Sequence, residues 1–192
     1  IKCDTRIKEE NKICDHCKSH KRYFEKCFCP LNYEKAVRSS ILSFKDSNAR
    51  YLAKSYAKII FDYIKDENLH FDIITFVPSH KKALKRRGYN PAKLLADELA
   101  LLFDKPCLET LLKITQTKAQ KNLSYSERAK NLENSMMVTN AKLIKGKTIL
   151  LVDDVVTTCA TSNQCAKLLK NFADKIYVTA IARNQLKAEK QS

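Results

Sequence analysis

Two neighbouring carboxylates, Asp153 and Asp154, follow the apolar run Ile149-Leu150-Leu151-Val152 and precede a stretch rich in hydroxyls, Val155-Val156-Thr157-Thr158-Cys159-Ala160-Thr161. Adjacent carboxylates repel each other, so a buried strand that ends on two of them calls for a reason. In open α/β sheets, ligands bind beyond the carboxyl ends of the strands, and that is where this pair is delivered. The hydroxyl residues fall where a following helix would begin. The N–H groups and the positive dipole end of such a helix favour a phosphate, and threonines add donors. A ribose 5-phosphate satisfies both halves, with its hydroxyls on Asp153 and Asp154 and its phosphate in the turn formed by 155–161.

A second cluster could take the remaining charge of such a ligand. The segment Ser79-His80-Lys81-Lys82-Ala83-Leu84-Lys85-Arg86-Arg87-Gly88 places five basic residues within seven positions, directly after an apolar strand over 71–77. Arginine suits bidentate phosphate contacts and lysine acts as a flexible point charge. Ser79, His80, Lys81, Lys82, Arg86, Arg87 and Gly88 are therefore candidate pyrophosphate ligands on a loop, with Gly88 in a backbone conformation disfavoured for other residues. The chain has only two glycines, which excludes phosphate loops of the G-x-G-x-x-G and G-x-x-x-x-G-K types.

The elements that must hold these residues show in the hydrophobic pattern. Val37, Ile41, Leu42 and Phe44 suggest a short helix that stops at Asp46-Ser47-Asn48. Tyr51, Leu52, Ser55, Tyr56, Ile59, Ile60, Tyr63 and Ile64 mark a longer amphipathic one. Asn90-Pro91 reads as an N-cap and first helical residue, followed by the stripe Leu94, Leu95, Leu99, Leu102 and Phe103. Strands are expected at 71–77, 148–152 and 175–182, with a helix carrying Cys165, Leu168, Leu169 and Phe172 between the last two. That alternation predicts an α/β fold with a parallel sheet covered on both faces. Residues 113–135 carry little periodic apolar content and read as a long mobile loop. After Arg183 the chain reads as a charged end with little to bury.

Composition sets limits. The 192 residues suffice for one α/β domain and a small appendage. Lys and Arg number 36 against 21 Asp and Glu, a formal charge of +15, which favours polyanionic partners. Tyr23, Tyr33, Tyr89 and Tyr125 lie near basic residues and could stack on nucleobases. No apolar run is long enough to cross a bilayer and no secretory signal is visible, so a cytoplasmic protein is expected. The chain begins with Ile1 and not Met, so an upstream portion is expected. Five of the eight cysteines fall within the first 29 residues. In a reducing compartment these point to a metal or bare thiols. Cys14-x2-Cys17 is half of a structural zinc site, Cys3 is a third ligand, and the fourth is open among His16, His20, Cys27, Cys29 or a residue upstream of Ile1, with Cys27 taken as the candidate. Cys27-x-Cys29 alternatively begins the first strand of the main domain. Cys107 and Cys165 read as core.

The 149–161 stretch resembles the phosphoribosyl pyrophosphate (PRPP) signature of type I phosphoribosyltransferases, here written DDVVTTCAT. Cys159 stands where that family has glycine, which implies a narrowed pocket, weaker phosphate binding or a lost activity. Three motifs in order, VPxxxxxxxxRGYN, QKNLSYSERAKNLENS over 120–135 and VDDVVTTCAT, resemble the ComF/ComFC competence family. The resemblance implies a phosphoribosyltransferase type I fold over 33–192 preceded by a zinc-finger segment over 1–32. Arg6 stands where that family has a further cysteine. It also implies a role in natural transformation, handling incoming single-stranded DNA at the inner face of the cytoplasmic membrane beside the DNA-uptake machinery. Gln120, Asn122, Arg128 and Asn131 match the middle motif, which in type I enzymes lies in a lid over the reacting centre. Two further readings stand beside this one. The first is an active phosphoribosyltransferase that moves the 5-phosphoribosyl group from magnesium-bound PRPP to a nitrogen nucleophile. The second is a regulator that reads PRPP and binds duplex DNA.

Overall fold

A computed structural model describes residues 21–114 and 136–184. Its centre is a parallel sheet. Strand β6 (Thr148–Val156) lies between β3 (Ile73–Phe76) and β7 (Lys175–Arg183), in a register that runs from Ile73↔Ile149 to Phe76↔Val152 on one side and from Thr148↔Lys175 to Val156↔Arg183 on the other. Beyond β7, two very short strands share its outer edge: β1 (Cys27–Phe28) and β2 (Leu31–Asn32), both parallel to it. Among the described residues the sheet thus begins at Cys27, as in the alternative that has Cys27-x-Cys29 start the first strand. Beyond β3, Cys107 bridges to Ile74: Ile74 N–H donates to the Pro106 carbonyl and Leu108 N–H to the Ile74 carbonyl, both at 2.9 Å.

The central strands read as unbroken apolar runs because both faces are covered. Ile149 and Leu151 pack with Ile73, Ile176, Val178 and Ala180 against helix α6 (Ala160–Leu169). Leu150 and Val152 pack with Ile74, Phe76 and Ile181 against three helices: α1 (Lys35–Asp46), α2 (Leu52–Ile64) and α4 (Pro91–Phe103). The α2 stripe is rotated from the expected one. Ala53, Tyr56, Ala57, Ile60 and Ile64 are buried, while Tyr51, Ile59 and Tyr63 face out. Small alanines on α2 and at Ala92 and Ala96 of α4 let the two helices approach closely. Asn90 caps α4 as expected, its Oδ1 accepting from Ala92 N–H at 3.1 Å.

Four further elements lacked a pattern in the sequence. The basic segment is not a loop but a helix, α3 (Lys81–Arg87), and Gly88 ends it in the left-handed region at φ 74°. Nothing apolar on α3 is buried, so no stripe announced it. The antiparallel pair β4 (Leu111–Lys113) and β5 (Met136–Val138) brings together the two ends of the 115–135 segment, and a short α5 (Ala141–Ile144) leads into β6. The lid residues Gln120, Asn122, Arg128 and Asn131, together with Tyr125, lie outside the described residues. So do the zinc candidates Cys3, Cys14 and Cys17.

Candidate functional site

β6 does not stop at Val152. It continues through both aspartates to Val156, paired with β7 but already past the end of β3 at Phe76. The carboxylates therefore stand on a projecting strand end. Because successive side chains on a strand alternate in direction, the two separate. Asp153 turns to the α6 side, where its Oδ2 accepts from the Ser162 hydroxyl at 3.0 Å and its Oδ1 from Asp154 N–H at 2.9 Å. Asp154 turns to the other side, where its Oδ1 meets Lys45 Nζ at 2.8 Å. Burial, and then the charge of Asp154, push the Asp153 carboxyl up to about 7, partly offset by its hydrogen bonds and by Lys45. Both residues keep partial solvent exposure. Val155 and Val156 serve packing, one on each face of the sheet.

The bend that follows is open. Thr157 and Thr161 are exposed, and the half-buried Thr158 accepts from Ala160 N–H through Oγ1. Beneath it lies a residue that no motif marked. Arg183, only 6% exposed, donates from Nη2 to the Thr157 carbonyl at 3.3 Å, and its Nη1 stands 3.9 Å from Cys159 Sγ. A buried guanidinium under a helix start adds positive potential to a turn whose first N–H groups have no intrahelical acceptors.

Cys159 takes φ 58°, the left-handed conformation that explains why glycine suits this position. The thiol itself is not exposed at the bend. The side chain is buried at 2% exposure and points into the core toward Cys27 and Arg183. A hydrogen bond with the Cys27 thiol, and then burial, drive its pKa far up, so it is held as a neutral thiol. Cys27 is the one member of the expected zinc set, Cys3, Cys14, Cys17 and Cys27, that lies within the described residues. It is fully buried in β1, 3.7 Å from Cys29 Sγ, and among the described residues no group of three or more His, Cys, Asp or Glu could hold a metal ion. Cys107 and Cys165 sit in the core as expected, Cys107 only half-buried.

Ser79 and His80 leave β3 at the same end as the aspartates, since Val77 N–H donates to the Val152 carbonyl at 2.9 Å. His80 caps α3, its Nδ1 accepting from Lys82 N–H at 3.1 Å. Lys81 and Lys82 are exposed. Arg86 and Arg87 do not reach toward the bend. Both bind one oxygen of Asp46, at 2.7 and 2.9 Å. The last two residues of α1 therefore link the two halves, Lys45 to the carboxylate pair and Asp46 to the basic helix. Sequence reasoning missed both, because a Lys-Asp pair at a helix end gives no sign of partners so far along the chain.

This arrangement is a parallel-sheet end that carries carboxylates and then a hydroxyl-rich helix start over a buried cation. Residues 48–192 match the phosphoribosyl transferase domain family. The chain belongs to that family. Competence protein F of Haemophilus influenzae is 28% identical over 94% of this chain and 82% of its own length. Competence protein ComFC of Bacillus subtilis is 24% identical over 85% and 80%. DNA utilization protein YhgH of Salmonella typhi is 32% identical over 58% of this chain and 49% of its own length. The resemblance to the ComF/ComFC family read from three motifs is thus borne out. Among solved structures, a glutamine PRPP amidotransferase from B. subtilis complexed with ADP and GMP covers 72% of the chain and 30% of its own, at 17% identity and a TM-score of 0.46. Adenine phosphoribosyltransferase from Leishmania tarentolae covers 71% and 73%, at 10% identity and a TM-score of 0.45. The phosphoribosyltransferase type I assignment rests on the family match and the strand order. Among the described residues, no helix is long and apolar enough to cross a membrane.

Proposed function

We propose that the chain is a competence protein that handles incoming single-stranded DNA and binds a PRPP-type ligand at the end of β6. The observation that carries the ligand reading is the open bend at 157–161, seated over the Arg183 guanidinium and preceded by two carboxylates on opposite faces of the sheet. In this reading Asp153 and Asp154 take the ribose hydroxyls, and Thr157, Thr158 and Thr161 the 5-phosphate. Lys81 and Lys82 are the exposed cations for the pyrophosphate. Arg86 and Arg87 join them only by leaving Asp46. Magnesium would arrive with the pyrophosphate, whose oxygens it needs in addition to any protein carboxylate. Calorimetry with PRPP and magnesium tests the site: the Asp153→Asn, Asp154→Asn double variant should lose binding, and unchanged binding would refute it.

The DNA role is supported by the +15 charge and by the printed names of the competence and DNA-utilization relatives. A salt titration with single-stranded DNA tests it, and no affinity at low salt overturns it. A structural zinc on Cys3, Cys14, Cys17 and Cys27 belongs to the same proposal, as does a location on the cytoplasmic side of the inner membrane. Zinc content of the wild type against Cys14→Ser decides the first. The second reading is a working transferase in which the C1–O bond to pyrophosphate breaks as a C1–N bond forms. The Cys159 side chain, turned away from the bend, favours it, and pyrophosphate release with a panel of nitrogen bases tests it.

A further inference from the structure

On the outer side of α6, away from the carboxylates, the segment that enters the sheet forms a second recess. Asn163 holds that segment by its backbone: its Oδ1 accepts from Tyr23 N–H at 2.9 Å and its Nδ2 donates to the Lys21 carbonyl at 3.0 Å. The Tyr23 ring is thereby fixed as one wall of a cavity of about 340 Å³, with Gln164, Lys167, Leu168, Lys170 and Asn171 as the others. Two ammonium groups stand over the ring, Lys21 Nζ at 5.2 Å and Lys167 Nζ at 5.9 Å from its centroid. Gln164 is 8% exposed, and its Nε2 is buried without an acceptor among the described residues. Buried donors are almost always paired, and Gln164 lines the cavity, so a small turn of its amide would bring the orphaned donor to an acceptor placed there. Of the other tyrosines near basic residues, Tyr89 is excluded from such a role, being buried with its hydroxyl on the Phe44 carbonyl.

We propose that this cavity takes one base of a single-stranded nucleic acid, stacked on Tyr23 and read by the Gln164 amide, with flanking phosphates on Lys167 and Lys170. The inference rests on the single-strand reading above and gives it an address on the protein. Each part of the recess matches one part of a nucleotide in a strand. A base offers a flat face to the tyrosine and a ring carbonyl or nitrogen to the orphaned donor. The ammonium that the base displaces from the ring pairs with a phosphate instead. A cationic ligand is disfavoured by the two lysines already over the ring, and a purely apolar one would leave the amide unpaired. The volume falls in the usual range for small-ligand pockets. α6 then serves two sites, the sugar-phosphate bend at its start and the base recess along its second half.

The test is fluorescence anisotropy at low and moderate salt with two labelled strands, an oligothymidine of about 12 nucleotides and an abasic strand with the same number of phosphates. The wild type should prefer the strand with bases. Tyr23→Leu and Gln164→Leu should lose that preference by roughly 5- to 150-fold, the range one stacked base supplies, and keep the abasic-strand affinity and its salt slope. PRPP calorimetry on both variants checks that the fold is intact. Equal binding of the two strands by the wild type overturns this inference and leaves single-strand handling standing, as does a preference that survives in both variants. Displacement of the oligothymidine by thymidine monophosphate at equal base concentration overturns it as well, because the recess would then serve a free nucleotide. Binding of neither strand at low salt removes the single-strand reading itself.

Discussion

Replacing Asp153 by asparagine separates the cost of the site from its use. The carboxyl titrates at about 7 in the fold against 3.8 for an unperturbed group, so between those values the folded chain holds a proton that the unfolded chain has lost. Stability from this group is full below pH 3.8 and is lost as pH rises through 7. At about 1.36 kcal/mol per pH step, the wild type forfeits up to about 3 kcal/mol between pH 5 and pH 8. Asparagine fills the same volume, can still accept from Asp154 N–H, and can donate to a Ser162 hydroxyl turned to accept. It carries no charge. The difference in stability, variant minus wild type, should therefore grow by about 2–3 kcal/mol from pH 5 to pH 8 in urea titrations, or roughly 5–10 °C in Tm for a domain of this size. Ligand binding should move the opposite way. Wild-type affinity for ribose 5-phosphate should rise about tenfold from pH 6 to pH 8 as Asp153 ionises. The variant reports the smaller rise that comes from the phosphate's own titration. A constant stability difference at the two pH values, or equal pH profiles for binding, would show that Asp153 is neither strained by burial nor used on the sugar.

Three other perturbations follow from the same geometry. Lys45→Met leaves a half-buried Asp154 without its ammonium and should cost about 1–3 kcal/mol, read by urea unfolding, with most of the loss recovered in the Lys45→Met, Asp154→Asn double variant. Asp46→Asn releases Arg86 and Arg87 from an exposed pair. Stability should change by less than about 1 kcal/mol, while affinity for inorganic pyrophosphate should rise roughly fivefold by calorimetry. Cys159→Gly removes left-handed strain worth about 1 kcal/mol and a buried thiol of similar worth. Melting should therefore shift little, and PRPP affinity should stay within about twofold. A tenfold gain would mean that the thiol faces the ligand.

The strands and the two large helices could be read from the sequence because their periodicity is strong. Ile149 to Val152 allows no exposed face, and Asn90-Pro91 marks a helix start by chemistry alone. The bend could be read as well, since carboxylates and hydroxyls have no reason to follow a buried strand unless something binds there. Its supporting charges could not. Lys45 and Arg183 act through tertiary contact with residues remote in sequence, and each belongs to an element whose own pattern shows only helix or strand. The direction of the Cys159 side chain was equally hidden, because residue type at a left-handed position does not say which way the Cβ points. β1 and β2 are two residues each, too short for any alternation, and α3 lacks a buried stripe. The shift of the α2 stripe toward alanines shows that packing distance, and not hydrophobicity alone, chose the inward face.

The edge made by β1 and β2 has a consequence for biosynthesis. Among the described residues its one sheet partner is β7, the last strand of the described fold, so the residues translated early must wait for those translated late. At the ordinary pace of roughly 5–20 residues per second, Cys27 and Cys29 spend many seconds outside the ribosome as accessible thiols before they are shut into the core. During that interval the nascent chain can present its leading cysteines to oxidants, to metal or to helpers, and the window closes only when the final strand locks alongside.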